Sequence, residues 1–225
     1  RRAFLDWGLF HVEQESREIS LKYNKVLRQR NEALRSMDKS HDRWTEELAS
    51  IGQDLSKMRE KYVSDIKAYL DQTRQHIMPK YDLNFVYYRG WDEQKSLLEA
   101  LQEKKDRDFE RGYTSQGPQN ADLKIYLDET EAHRICSRGQ QKLIANIMLL
   151  SQSKGFFEVK KYPSIILVDD LSAELTLEMQ EKILERLFET KSQIFLTALN
   201  DSVLADILSE MKASVFHVEH GEIVQ

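Results

Sequence analysis

The chain has 225 residues, 40% of them apolar, enough for one substantial domain or two small ones. Its 33 Lys and Arg against 38 Asp and Glu give a net charge of −5, which excludes a general polyanion binder but leaves room for a local basic face. A single cysteine, Cys136, excludes an intramolecular disulfide framework and fits a reducing cytoplasm. No apolar run reaches the roughly 18 residues of a membrane helix and no signal peptide is visible. The chain opens on Arg1-Arg2 without a methionine, so an upstream part is expected.

From about residue 15 to 110 there are only two glycines, Gly52 and Gly90, amid dense charge. Ile19, Tyr23, Val26, Arg30 and Leu34 recur at three or four, the spacing of one helix face. Leu48, Ile51, Leu55, Met58, Tyr62, Ile66, Tyr69 and Thr73 do the same. This second stripe predicts a helix long enough to be an arm or half of an antiparallel hairpin, ended by Pro79. LNFVYY (83 to 88) reads as a strand and 92 to 110 as one further helix. The charged faces fit a solvated bundle. They also give the first helical segment a basic bias, with Arg28, Arg35 and Lys39 as candidate contacts for nucleic-acid phosphates. Arg30 and Arg43 belong to the same run, but the place of Arg30 in the apolar stripe predicts partial burial.

After residue 112 strands and helices alternate. ADLKIYLDE (121 to 129) alternates like a strand, and a helix follows over about 138 to 153. SIILV (164 to 168) and QIFLTAL (193 to 199) read as fully buried strands. Helices are predicted over 175 to 189 and 201 to 211, and 214 to 225 closes as a hairpin turning at His220-Gly221. The predicted class is α/β: a mainly parallel sheet flanked by helices over 111–225, plus a helical lobe over 1–110. Such sheets bind ligands at the carboxyl ends of their strands.

Two stretches carry chemistry. Asp169-Asp170 ends the strand SIILV, where one carboxylate suits a magnesium ion and the other an attacking water; an acidic strand-to-helix turn is the structural alternative. Ser137 with Gln140 forms an S-x-x-Q capping box, which accounts for the serine as a helix start. Arg138 and Gly139 are poor choices for a merely stable first turn. A glycine allowing close approach, a free cation and the open amides of a helix N-terminus together suit a phosphate. Gly112 and Gly117 have P-loop spacing but lack the Lys-Ser/Thr that should follow, so the chain has no P-loop. Zinc spacings and a G-x-S-x-G elbow are absent too.

Ser137-Arg138-Gly139-Gln140-Gln141-Lys142 and the stretch VDDLSAEL (168 to 175) resemble the signature and Walker B/D-loop of RecF, an SMC-like, ABC-type ATPase family of DNA replication and repair. Arg2 to Gly8, Gln29-Arg30-Asn31, Gly90-Trp91, Arg107-Asp108 and Gly112-Tyr113-Thr114 match further family positions in order. The chain resembles the part C-terminal to the P-loop. The resemblance implies an ABC-type head closed by ATP and Mg2+ into a homodimer. Ser137, Arg138, Gly139 and Gln140 would face nucleotide held by the partner. Asp169 would serve the metal, Asp170 would be catalytic, and Ala173, Glu174 and Leu175 would be the D-loop at the dimer seam. It further implies a weak DNA-dependent ATPase that binds gapped or junction DNA and works with RecR and RecO in recombinase loading. The sequence departs from the family at Gln119-Asn120, at Ala173 and Thr176, and at Leu199-Asn200. A noncatalytic protein-interaction module and the head of another SMC-like ATPase are the alternatives.

Overall fold

A computed structural model describes residues 1–38, 41–198, 209 and 213–224. The apolar stripes become helices as their spacing predicts: α1 (Arg2–Val12), α2 (Ser16–Arg35) and α3 (His41–Ile77). With 37 residues, α3 runs about 55 Å. It is the spine of the molecule, and α2 packs along it as a helical hairpin. Tyr23 and Val26 of α2 and Leu48, Leu55, Tyr62 and Ile66 of α3 are buried in one continuous core, and Leu34 of α2 is buried as well. Helix α1 crosses α3 closely because Gly8 has no side chain; a Cβ there would meet the Tyr62 hydroxyl. Pro79 stands two residues beyond the end of α3.

Strand β1 (Leu83–Tyr88) pairs antiparallel with β2 (Asp122–Leu127), which pairs in turn with the short β3 (Thr130–Glu131). Leu123, Ile125 and Leu127 alternate inward to the core, as a half-buried strand should. The single helix predicted over 92 to 110 is instead two, α4 (Leu97–Glu103) and α5 (Lys105–Arg111). Ser96 and Glu99 form a reciprocal capping box that restarts the chain. The Arg89 guanidinium and the Trp91 indole N–H both donate to the Lys95 carbonyl, which holds 92 to 96 out of helix. A 3-10 turn, Pro118–Asn120, and a one-turn helix, α6 (Ala132–Ile135), lead to α7 (Arg138–Lys160), which packs on α1 and α3.

Strands β4 (Ile165–Val168) and β5 (Gln193–Leu196) form the expected parallel pair, separated by α8 (Leu177–Glu189). The sheets are small, and among the described residues only one face of this pair is covered. Ile166, Val168, Ile194 and Leu196 pack against the core, whereas Ile165 is 66% and Leu167 75% exposed and Phe195 is exposed beside them. A continuous apolar run does not say how many faces are covered, because only period-two alternation separates the faces. Strands β6 (His217–Glu219) and β7 (Glu222–Val224) make the terminal hairpin, turning at His220-Gly221. The helix predicted over 201 to 211 lies outside the described residues, apart from the helical Ser209, as do Lys39 and Leu199-Asn200.

Candidate functional site

Helix α7 begins where its sequence says it should. The Ser137 side chain accepts from the Gln140 amide at 3.2 Å, and the Gln140 side chain accepts from the Ser137 amide at 2.9 Å. The Gln141 amide donates to the Ser137 carbonyl. Those bonds leave the amides of Arg138 and Gly139 without a protein acceptor among the described residues, at the positive end of a 23-residue helix. The Arg138 side chain is 88% exposed, with its guanidinium 3.7 Å from Glu174. A pair that exposed is weak, so the cation is available to an anion.

Gly139 has a second reason to be glycine: a Cβ there would lie 2.7 Å from the Glu174 carbonyl oxygen. The helix start therefore rests directly on the segment 171 to 174. Lys142, one turn further, donates to the carbonyls of Asp170 at 2.6 Å and Ala173 at 2.9 Å. It is thus a brace between the two motifs rather than an exposed cation, a role the sequence did not disclose.

The two carboxylates are held differently. Asp169 is exposed; its Oδ1 accepts from the Thr197 hydroxyl at 2.6 Å, and its other oxygen has no partner among the described residues. Asp170 sits in the left-handed region with φ 47, its amide donating to Thr197 Oγ1 and its Oδ1 accepting from Ser172. Asp tolerates that conformation better than most residues. Thr197 follows β5, 28 residues from Asp169, and only the β4–β5 pairing brings it here. Leu171 is fully buried and anchors the turn, while Glu174 also has positive φ, 65. Thr176 caps α8 through its side chain, the task an Asp would perform at that position. Ser137, Arg138, Gly139 and Gln140 are therefore braced by Gly139 and Lys142 onto the loop bearing Asp170, Ala173, Glu174 and Leu175.

Burial pushes the Cys136 thiol above its ordinary range, so this residue is no ready nucleophile. Among the described residues no group of three or more His, Cys, Asp or Glu side chains is arranged to hold a metal. Asp169 and Asp170 still fit magnesium, which takes one or two carboxylates together with phosphate oxygens.

The other sequence motifs converge on a structural knot. Arg30, 1% exposed, donates to Thr45 at 2.9 Å, Asp108 at 3.0 Å and Thr114 at 2.7 Å. Asn31 accepts from the amide and hydroxyl of Thr114, and Asp108 from the Ser115 amide. The burial of Arg30 is complete rather than partial, and it is unavailable to nucleic acid. Gln119 likewise works inward, accepting from Tyr23 and donating to the carbonyls of Thr114 and Gln116. Arg28 and Arg35 are exposed and, among the described residues, hydrogen-bond to carbonyls of their own helix. Arg43 is exposed beside the Trp44 ring.

No family model matches the chain. It is 36% identical over 233 residues to the DNA replication and repair protein RecF of Chromohalobacter salexigens, covering all of this chain and 63% of that protein. RecF of Pseudomonas aeruginosa is 37% identical over 229 residues and RecF of Vibrio cholerae 33% over 227, each matching all of this chain and 62% of the relative. The chain thus spans about three fifths of the length of these relatives. Two solved structures share the fold. The recombination mediator protein RecF with ATP, in the RecFOR pathway, superposes with a TM-score of 0.77 at 22% identity, over 90% of this chain and 58% of that one. The same protein with ATPγS gives 0.78 at 21% identity, over 99% and 62%.

Proposed function

We propose, since the chain belongs to the RecF family and matches its C-terminal portion, that it supplies one half of an ATP site closed between two protomers. Residues 1–110 form the helical lobe and 111–225 the part of the ATPase head with signature, Walker B and D-loop. The assembled cytoplasmic protein binds gapped or junction DNA and acts with RecR and RecO in loading recombinase. The solved relatives with ATP and ATPγS, and their place in the RecFOR pathway, support ATP as the ligand and RecO and RecR as associates.

One observation carries this reading: the open amides of Arg138 and Gly139 and the Ser137 hydroxyl are braced onto the Asp169–Leu175 loop as one unit. Three donors and an exposed, weakly paired guanidinium at a helix N-terminus fit the terminal phosphates of a nucleotide held by the opposite protomer. Gln140 holds Ser137 in place. Asp169, with one oxygen fixed by Thr197 and the other free, fits a magnesium ion, which when bound supplies charge neutralisation at the phosphates. Asp170 orients the attacking water, and Ala173, Glu174 and Leu175 lie at the seam. Arg28, Arg35 and Lys39 contact DNA phosphates.

Two measurements test the reading. Titration of labelled ATP with Mg2+ against the isolated chain should show no saturable micromolar binding, because P-loop amides and lysine normally supply most phosphate contacts. Charge reversal at Arg28 and Arg35 should weaken binding to gapped DNA and flatten its salt dependence. Unchanged binding would remove that face from the account.

A further inference from the structure

We infer that the groove between α1 and α2 seats single-stranded nucleic acid, with an unpaired base stacking on Trp7 and Phe10 and the backbone following Arg17, Arg28 and Arg35. The inference rests on the DNA reading above and adds a site and a strand state to it. Trp7 and Phe10, three residues apart on one face of α1, are 49% and 48% exposed. The Trp7 ring packs against His11, with centroids 4.3 Å apart and planes tilted by 52°, which limits its rotation. Both rings line a groove of about 500 Å³, with Leu21 on the opposite wall. That volume falls within the roughly 300–1,000 Å³ of small-molecule sites.

The charge of the groove selects the ligand. Arg2, Arg17 and Arg59 line it against a single carboxylate, Asp6. Arg59 is engaged by Asp6 and the Pro118 carbonyl, and Arg2 by the Gln119 carbonyl. Arg17 is exposed and has no partner among the described residues. Counting 100° per residue, Asn24, Arg28 and Arg35 all fall within about 20° of Arg17 on α2. The groove therefore opens onto a basic stripe about 27 Å long. None of its three arginines meets a carboxylate among the described residues. Glu13, Glu15 and Glu18 lie near the α1–α2 turn, but none lines the groove. Half-exposed rings beside a cationic track suit a strand whose bases are free to stack; a duplex keeps its bases out of reach.

The test uses the 225-residue chain, a twelve-residue oligothymidylate and a blunt duplex of equal length, followed by tryptophan emission and by anisotropy of labelled DNA. Trp91 is buried and Trp44 is partly buried on α3, so the measurement is made in a Trp44→Phe background, where quenching reports on Trp7. The oligothymidylate should quench emission. Trp7→Ala should abolish the quench and weaken the single strand roughly tenfold, leave duplex binding unchanged, and be rescued for affinity by Trp7→Phe. Arg17→Ala should lower the salt slope for the single strand by about 1. A duplex that binds while oligothymidylate leaves emission untouched overturns the groove but not the DNA reading. Binding of neither nucleic acid by the chain overturns the groove, while the DNA reading of the assembled protein stands or falls on the gapped-DNA measurement; quenching by an acidic aromatic peptide alone assigns the groove to a protein and overturns the inference.

Discussion

Arg30→Met should destabilise the fold severely without touching a DNA-contact surface. The Arg30 and Asp108 side chains are 1% and 0% exposed, and the substitution would leave the Asp108 carboxylate buried with only the Ser115 amide to satisfy it. Removing one partner of a buried ion pair costs about 3–5 kcal/mol. The hydroxyls of Thr45 and Thr114 would lose a partner as well, so the upper half of that range is expected. Asp108→Asn keeps an acceptor for Ser115 and should cost less. The double substitution should fall short of the sum by roughly 2 kcal/mol, the signature of direct coupling. Urea unfolding followed by circular dichroism and tryptophan fluorescence reads all three variants. If Arg30→Met costs under about 1 kcal/mol and shows no coupling, Arg30 is not the clamp described and becomes a candidate DNA ligand again.

Gly139→Ala leaves the capping box intact but drives a methyl into the Glu174 carbonyl, so it should cost about 1–3 kcal/mol and speed amide exchange across 170 to 175. Lys142→Met should keep α7 helical by circular dichroism while loosening the same segment, since both carbonyls lose the ammonium and that of Asp170 keeps only the Ala173 amide at 3.3 Å; Lys142→Arg should restore part of the protection. Burial pushes the Tyr62 hydroxyl up to about 12, so the folded state holds a proton that the unfolded chain releases near 10. Stability from Tyr62 is therefore complete below pH 10 and lost as pH rises towards 12. Tyr62→Phe should flatten the alkaline limb of a stability–pH curve. It should cost only about 1 kcal/mol at neutral pH, because Gln152 keeps its bond to the Phe4 carbonyl.

The helical stripes were legible because three-four spacing forces Tyr23, Val26, Leu55 and Ile66 onto one face, and nothing in the tertiary structure competes with it. The capping box at Ser137 was legible because it is local. The same signal at Ser96-x-x-Glu99 stands inside a helix-forming run, and there it marks the break that the run alone conceals. Contacts between distant segments were not legible. Arg30, Asp108 and Thr114 appear as separate motifs 78 and 84 residues apart, and only the folded hairpin makes them one network. Thr197 gains its place beside Asp169 from strand pairing, and Lys142 its role from the loop it spans. The exposure of Ile165 and Leu167 escaped for a different reason: Ile165, Ile166, Leu167 and Val168 are apolar on both sides, so composition carries no record of which side packs on the core.

The composite site is tested most directly by sedimentation of this chain joined to the P-loop-bearing part of a RecF-family relative, with and without ATP and Mg2+, beside a nucleotide-binding assay. The joined protein should be a monomer without nucleotide and a dimer with it. Ser137→Arg should still bind nucleotide but remain a monomer, with the melting temperature lowered only by loss of a cap worth about 1 kcal/mol. Asp170→Asn should keep the ATP-driven dimer while slowing hydrolysis, and Asp169→Asn should weaken the magnesium–nucleotide complex itself. If Ser137→Arg abolishes nucleotide binding in the monomer, the phosphate grip acts within its own chain and the trans site is contradicted.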